Sequence, residues 1–332
     1  MVPSSGFVVR SRREVILGPV HIDMRSNEER FVGMRYFPHS RPVEGTIQAD
    51  YALSFCNLNV DGPWSRQEIL KEQDESYRAK KFAAGYYITD HYGAPANIVT
   101  RGTHYWIFGT DFELILWPYV IKLLLTLYSF ERELLHLKAA SIAWNGAGTL
   151  LVGRGGSGKT VLMTQLCRQG AQFFSNTHSL IQEHHILPVP TAMRVRNDSL
   201  FAPIIAERKL PMGIKRDEYL ADPLTDLGWL GGTTARLKNI FLLDYRGPDT
   251  RDIREMDREV LLNYMEQFSL PLNVYGIKED ILDHLGGDVA AFSLQMNRMR
   301  EQLHTLVERC NGYYVSCDAT DPGNLREIQE LL

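Results

Sequence analysis

Short apolar runs separated by Gly, Pro, Asn and Asp dominate the first third of the chain: Phe7–Arg10, Val15–Met24, Phe31–Phe37, Thr46–Leu58, Tyr86–Thr89, Asn97–Arg101 and Tyr105–Phe108. Runs of this length, rich in β-branched and aromatic residues, predict strands, and their close spacing predicts a mostly antiparallel β domain over residues 1–110. One segment there, Ser65–Lys81, is polar at helical spacing and reads as a solvated helix. The pattern then changes period. Val120, Leu123, Leu124, Leu127, Phe130 and Leu134 recur at helical spacing, so residues 111–134 form a connecting helix. From residue 135 to 332 helices and strands alternate, which predicts an α/β domain.

Within that second domain the order of elements is legible. Leu135–Trp144 reads as a strand, and Asn145-Gly146 is a hairpin signal that pairs it antiparallel with a strand at Thr149–Val152. A helix over Lys159–Gln169 stops at Gly170, a short strand Gln172–Ser175 follows, and Ser179–Glu183 returns toward His184-His185. Ile186–Gly232 reads as irregular strands and loops. Lys238–Leu243 is an apolar strand ending at Asp244. Asp252–Phe268 reads as a helix with its apolar stripe through Val260, Leu261 and Tyr264. Asp288–Cys310 is a long helix whose Phe292, Met296, Met299 and Leu303 face a core, followed by a β run at Tyr313–Ser316 and a closing helix at Asn324–Leu332.

Chemistry enters between the Thr149–Val152 strand and the helix after it. Gly153, Arg154, Gly155, Gly156, Ser157, Gly158, Lys159 and Thr160 have the spacing of a phosphate-binding loop, and Val161 continues into the helix. Glycines let consecutive backbone N–H groups turn onto an anion, and the helix start adds its positive dipole end. Lys159 reaches the terminal phosphates, and Thr160 has the hydroxyl that a magnesium ion needs. The loop alone implies a bound nucleoside phosphate.

Composition narrows the field. With 332 residues and 44% apolar residues the chain has enough material for real cores, and a net charge of -4 without a basic block argues against nucleic acid as a partner. Cys56, Cys167, Cys310 and Cys317 are scattered, so neither disulfides nor structural zinc are expected. The N-terminus lacks the long apolar core of a signal peptide. Phe112–Leu127, the most apolar run, is interrupted by Glu113, Pro118 and Lys122 and is too short to span a bilayer. A cytoplasmic protein with no membrane partner is expected. The aromatic residues Tyr86, Tyr87, Tyr92, Tyr105, Trp106 and Phe108 fit either a packed sheet core or a stacking surface for a base or sugar.

The order of His136, small residues, hairpin, phosphate loop, helix and the Gly170–Phe174 segment resembles the HPr kinase/phosphorylase superfamily, whose P-loop core is related to that of phosphoenolpyruvate carboxykinase. More narrowly it resembles the HPr kinase-like phosphotransferases found beside peptide and natural-product biosynthetic genes. The resemblance covers Leu134–Glu183. It implies a mixed-sheet, P-loop kinase-like domain with ATP and Mg2+ as cofactors, a small-molecule or peptide phosphate acceptor and, as is frequent in the family, a homo-oligomer. It also implies that His136 lies near the phosphates. Two departures bear on mechanism: Asn176-Thr177 stand where the family has an acidic pair, and Val161 stands where the HPr enzymes have glutamate. An amide orients a hydroxyl or a metal-bound water but takes no proton. His178, His184 and His185 are then alternative bases, and Asp244, at the end of an apolar strand, is an alternative metal or water-shell contact.

Two further features near the motif are ambiguous on sequence alone. Arg194, Arg196, Arg208, Lys209, Lys215 and Arg216 either clamp an anion or balance neighbouring acids, and Gly231–Thr234 is a second small-residue loop. The expected activity is an ATP- and Mg-dependent phosphotransferase acting on a hydroxyl or guanidino group, with Lys159, His136, Asn176 and Asp244 at the transfer site and Thr160 and Asp244 on the metal. The alternative is a nucleotide-binding regulatory or assembly protein with little transferase activity.

Overall fold

Gly18, at φ +63°, and Pro19 close a two-residue loop between β1 (Ser11–Leu17) and β2 (Val20–Ser26), so the single run expected at Val15–Met24 is a hairpin. The structure is a computed structural model that describes residues 7–60, 96–110, 112–213 and 217–332. The Ser65–Lys81 helix, Tyr86, Tyr87, Tyr92, Lys215 and Arg216 lie outside the described residues. β3 (Arg41–Pro42) pairs antiparallel with β1, and β4 (Tyr51–Asn57) runs parallel to β2. β5 (Ala96–Arg101) and β6 (His104–Gly109) form an antiparallel pair, with β6 parallel to β4. The sheet, ordered β3-β1-β2-β4-β6-β5, is therefore mixed: three of its pairings are antiparallel, as expected, and two, β2 with β4 and β4 with β6, are parallel. Apolar alternation marks a strand but not its partner's direction. The difference arises in the crossover from β2 to β4, where Phe31–Phe37 holds a short 3-10 helix, Val32–Tyr36, instead of a strand. Gly33 lies against Leu116 there, at a place where a Cβ would come within 2.5 Å of the leucine side chain.

The connecting segment is helical from Glu113 to Glu131: α1 (Glu113–Ile115), a π-helical turn (Leu116–Ile121) and α2 (Lys122–Glu131). Pro118 lies inside the π-helical turn, where its missing N–H breaks the regular ladder. Leu123 to Ser129 are all buried, so α2 has no solvated face. The reason is its position. One continuous core joins Val15, Leu53 and Ile107 of the first sheet through Leu116, Val120 and Leu124 to Leu137, Leu150, Ile240 and Leu303 beyond it.

The strand expected at Leu135–Trp144 breaks at Ala139 into β7 (Leu135–Lys138) and β8 (Ala140–Trp144). β8 pairs antiparallel with β9 (Ala147–Val152) through Asn145 and Gly146, both at positive φ as the tight hairpin requires. After β9 come α3 (Lys159–Arg168), β10 (Gln172–Ser175), β11 (His178–Gln182), β12 (His185–Leu187), β13 (Met193–Arg196), α4 (Ala202–Arg208), β14 (Glu218–Ala221), β15 (Leu230–Gly231) and β16 (Ala235–Leu243). The chain closes with β17 (Asp252–Glu255), α5 (Arg258–Phe268), α6 (Pro271–Val274), α7 (Lys278–His284), α8 (Val289–Arg309), β18 (Asn311–Ser316) and α9 (Pro322–Glu330). The helix expected over Asp252–Phe268 starts only at Arg258, where Asp257 accepts hydrogen bonds from the N–H groups of Glu259 and Val260. Its buried stripe is Leu261 and Met265, whereas Val260 is 55% exposed.

β9, β16 and β18 are parallel neighbours, with β8 antiparallel beyond β9 and β17 antiparallel beyond β18. Side chains alternate between two layers. Leu150 and Val152 of β9 and Ile240 and Leu242 of β16 join the core that holds α5 and α8; Leu151, Phe241 and Leu243 join a second core under α3 and α9. This mixed α/β arrangement brings the carboxyl ends of three parallel strands to one edge, the usual place for a ligand. Cys56, Cys167, Cys310 and Cys317 are free and buried. Among the described residues no helix is long and apolar enough to cross a membrane.

Candidate functional site

β9 delivers the chain into the glycine-rich loop, and three glycines take conformations that a side chain would resist: Gly153 at φ +146°, Gly156 at +82° and Gly158 at +90°. Gly153 has a second constraint, since a Cβ there would lie 2.5 Å from the carbonyl oxygen of Leu243 and from Ser157 Oγ. Gly158 precedes the first turn of α3, whose open N–H groups face the loop. The Lys159 ammonium donates to the carbonyl oxygens of Gly153 (2.7 Å) and Arg154 (2.6 Å) and to Ser157 Oγ (3.1 Å). Burial, and then the charge of Lys138, push it down to about 8.

The loop forms one side of a cleft of about 660 Å3. Gly155, Gly156, Ser157, Gly158, Lys159, Thr160 and Val161 line it, and Tyr36, Trp117, Lys138, Asn176, Thr177, Arg194 and Arg196 line it too. Tyr245, after β16, and Asp318 and Thr320, after β18, complete the strand-end edge, while Asp198 and Glu218 add two carboxylates. The stacked rings of Tyr36 and Trp117, 6.0 Å apart and 7° from parallel, are contributed from the first half of the chain.

Several expected site residues lie elsewhere. His136 is 1% exposed and does not line the cleft; it sits in the core under α2, with Nδ1 3.0 Å from Thr126 Oγ1 and Nε2 3.0 Å from His178 Nδ1. The Thr126 hydroxyl donates to the Lys122 carbonyl, so His136 donates through Nδ1 and His178 donates through its own Nδ1 to His136 Nε2. His178 Nε2 is then a buried acceptor with no hydrogen-bond partner. Burial pushes His136 down to about 3 and His178 well below 6.5, with Lys122 adding to both shifts. His184 is 2.7 Å from Arg309 in a separate cavity of about 440 Å3, and His185 is an exposed hairpin residue. None of the three histidines expected as alternative bases reaches the cleft.

Asn176 does line the cleft, but its amide donates to the Ala192 carbonyl (3.2 Å) and accepts from the Thr191 hydroxyl (3.3 Å). Asp244 does not line it. Its Oδ2 accepts from Tyr314 OH (2.9 Å) and Arg246 Nε (2.8 Å), and its Oδ1 lies 3.7 Å from Arg154, a loop side chain that turns away from the cleft toward it. Partial burial acts to raise Asp244, but the Tyr314 and Arg246 hydrogen bonds outweigh it and hold the carboxyl below its ordinary value. The Gly231–Thr234 loop packs on Phe174, where a Cβ on Gly232 would overlap the ring, and it does not line the cleft.

Magnesium held mostly by phosphate oxygens and water needs few protein ligands, and Thr160 fits that role at the helix start. Asp244, held by two arginines and a tyrosine, does not. Among the described residues no three His, Cys, Asp or Glu side chains cluster as a metal site. Sequence reasoning missed Lys138 and Asp318. Lys138 is two residues beyond His136 on the same face of β7, and Asp318 follows a parallel strand as Asp244 does, so each had a signal in strand periodicity.

No family model matches the chain, and no curated protein matches it. Among solved structures, the Hpr(Ser) kinase/phosphatase from Coxiella burnetii aligns with 46% of this chain and 98% of its own, at 12% identity and a TM-score of 0.23. This is a weak likeness that says nothing about chemistry.

Proposed function

We propose that the chain is an ATP- and magnesium-dependent phosphotransferase whose acceptor is a hydroxyl group on a small molecule or peptide. The observation that carries this reading is the glycine-rich loop at the start of α3, with Lys159 and Thr160 opening on a cleft large enough for a second substrate. A hydroxyl is preferred to a guanidino group because the cations Lys138, Lys159, Arg194 and Arg196 outnumber the cleft's carboxylates Asp198, Glu218 and Asp318, of which Glu218 already meets Arg194.

In this reading the loop amides and Lys159 hold the β- and γ-phosphates and stabilise charge as it develops in transfer. Thr160 holds magnesium, which neutralises phosphate charge when bound. The acceptor oxygen bonds to the γ-phosphorus as the bond to the β–γ bridging oxygen breaks and ADP leaves. Asp318, at the carboxyl end of β18, takes the acceptor proton; its Oδ1 is held by the N–H and hydroxyl of Thr320. The transferase reading is tested by ADP formation over a panel of hydroxyl acceptors, with Lys159→Ala as control. Acceptor-dependent turnover lost in the variant supports it.

A second reading, nucleotide binding with regulatory rather than transferase output, is favoured by the engaged Asn176 amide and the buried His136. Tight ATP binding with no acceptor-dependent ADP formation would select it.

A further inference from the structure

Besides the phosphate loop, three cations line the cleft. Lys138 ends β7, and Arg194 and Arg196 lie two residues apart on the exposed face of β13, whose alternate residues Met193 and Val195 are buried. Among the described residues neither Lys138 nor Arg196 has a carboxylate within ion-pair distance, and Arg194 meets Glu218 only loosely, at 3.8 Å. Lys138 is also half-buried, and burial pushes its ammonium down. Lys138 and Arg194 both add to the burial that pushes Lys122 down to about 7. Lys138 likewise acts on Lys159 on the loop side. Asp198, Glu218 and Asp318 line the same cleft, but among the described residues Lys138 and Arg196 have none of them within ion-pair distance, and an oxyanion placed beside these cations relieves their mutual repulsion. The phosphate loop has its own backbone donors and Lys159 for a nucleotide, which leaves these three cations available to a different group.

We propose that Lys138, Arg194 and Arg196 form a second oxyanion subsite that holds a carboxylate or phosphate group of the acceptor, so that the substrate is an anionic hydroxy compound. This rests on the phosphotransferase reading, which it extends by defining the acceptor's charge. An arginine fork and an ammonium suit either oxyanion.

The test is calorimetric titration of inorganic phosphate and, in parallel, acetate into protein saturated with magnesium and a non-hydrolysable ATP analogue. An oxyanion still binds to the loaded protein, and the tighter of the two identifies the group. Lys138→Met and the exposed-site variant Arg196→Gln each weaken it roughly tenfold, as expected for loss of one charge-assisted contact. Anion binding abolished by the nucleotide, or unchanged in both variants, overturns the subsite. If the nucleotide analogue does not bind at all, the phosphotransferase reading fails separately. The same anions titrated into Lys159→Ala then decide the subsite alone: sensitivity to an added Arg196→Gln supports it, and insensitivity overturns it.

Discussion

The Lys159 ammonium donates to the Gly153 carbonyl at 2.7 Å, which folds the lysine back on the loop it serves. To meet a phosphate it exchanges carbonyl partners for phosphate oxygens, and it must be charged to gain by doing so. Because burial and Lys138 depress it to about 8, the free protein loses this proton above that pH. ATP affinity is therefore expected to be level from pH 7 to 7.5 and to fall above about pH 8, approaching tenfold per unit. Calorimetry between pH 7 and 9.5 checks this. A level profile to pH 9.5 would mean that Lys159 does not hold the phosphates.

Two neighbouring glycines separate loop shape from loop space. Gly153→Ala places a Cβ at φ +146° and 2.5 Å from Leu243 O and Ser157 Oγ, and is expected to cost about 1–3 kcal/mol of stability and to abolish nucleotide binding. Gly155 has no positive φ and open space around its Cβ direction, so Gly155→Ala is expected to keep stability within about 0.5 kcal/mol of the parent. Denaturant melts of the two variants make the comparison; equal losses contradict the loop geometry.

The buried histidine pair makes the fold acid-sensitive. The unfolded chain takes up protons on His136 and His178 below about pH 6.5, whereas the folded chain refuses them until His136 reaches about 3. Stability contributed by the neutral pair is thus fully present above 6.5 and is lost as the pH falls from there toward 3. The double variant His136→Leu with His178→Phe is expected to flatten the decline measured by denaturant melts between pH 6.5 and 4. An unchanged slope would place the acid sensitivity elsewhere.

Thr160 and Asp244 are expected to differ in how they affect magnesium. Thr160→Val removes the hydroxyl at the helix start and should reduce the magnesium enhancement of ATP affinity by roughly tenfold. Asp244→Asn, which weakens the pairing with Arg246 and Arg154, should leave that enhancement within about threefold. ATP titrations with and without magnesium give both ratios. The opposite ranking would return Asp244 to the metal.

Local signals in the sequence reached some of this arrangement. Asn145-Gly146 specifies its own hairpin, the loop glycines their own backbone, and the apolar Lys238–Leu243 run its strand, because each depends on residues close in the chain. Strand partners depend on distant residues, so the parallel pairing of β2, β4 and β6 was not legible in alternation alone. The same limit applies to the cleft. His136 and Lys138 share one face of β7, and only the burial of that strand under α2 decides that the lysine reaches the cleft and the histidine does not. Asp244 and Asp318 both follow parallel strands; the arginines around Asp244, one from the loop itself, separate their roles.

The most direct measurement is the binding of magnesium and a non-hydrolysable ATP analogue to the parent protein and to Lys159→Ala, by calorimetry at pH 7.5. Saturable binding by the parent, weakened roughly a hundredfold in the variant as contacts from one charged donor to several phosphate oxygens are lost, is the expected result. No binding by the parent, or equal binding by the two proteins, would contradict the assignment of Gly153–Thr160 as the nucleotide's phosphate site.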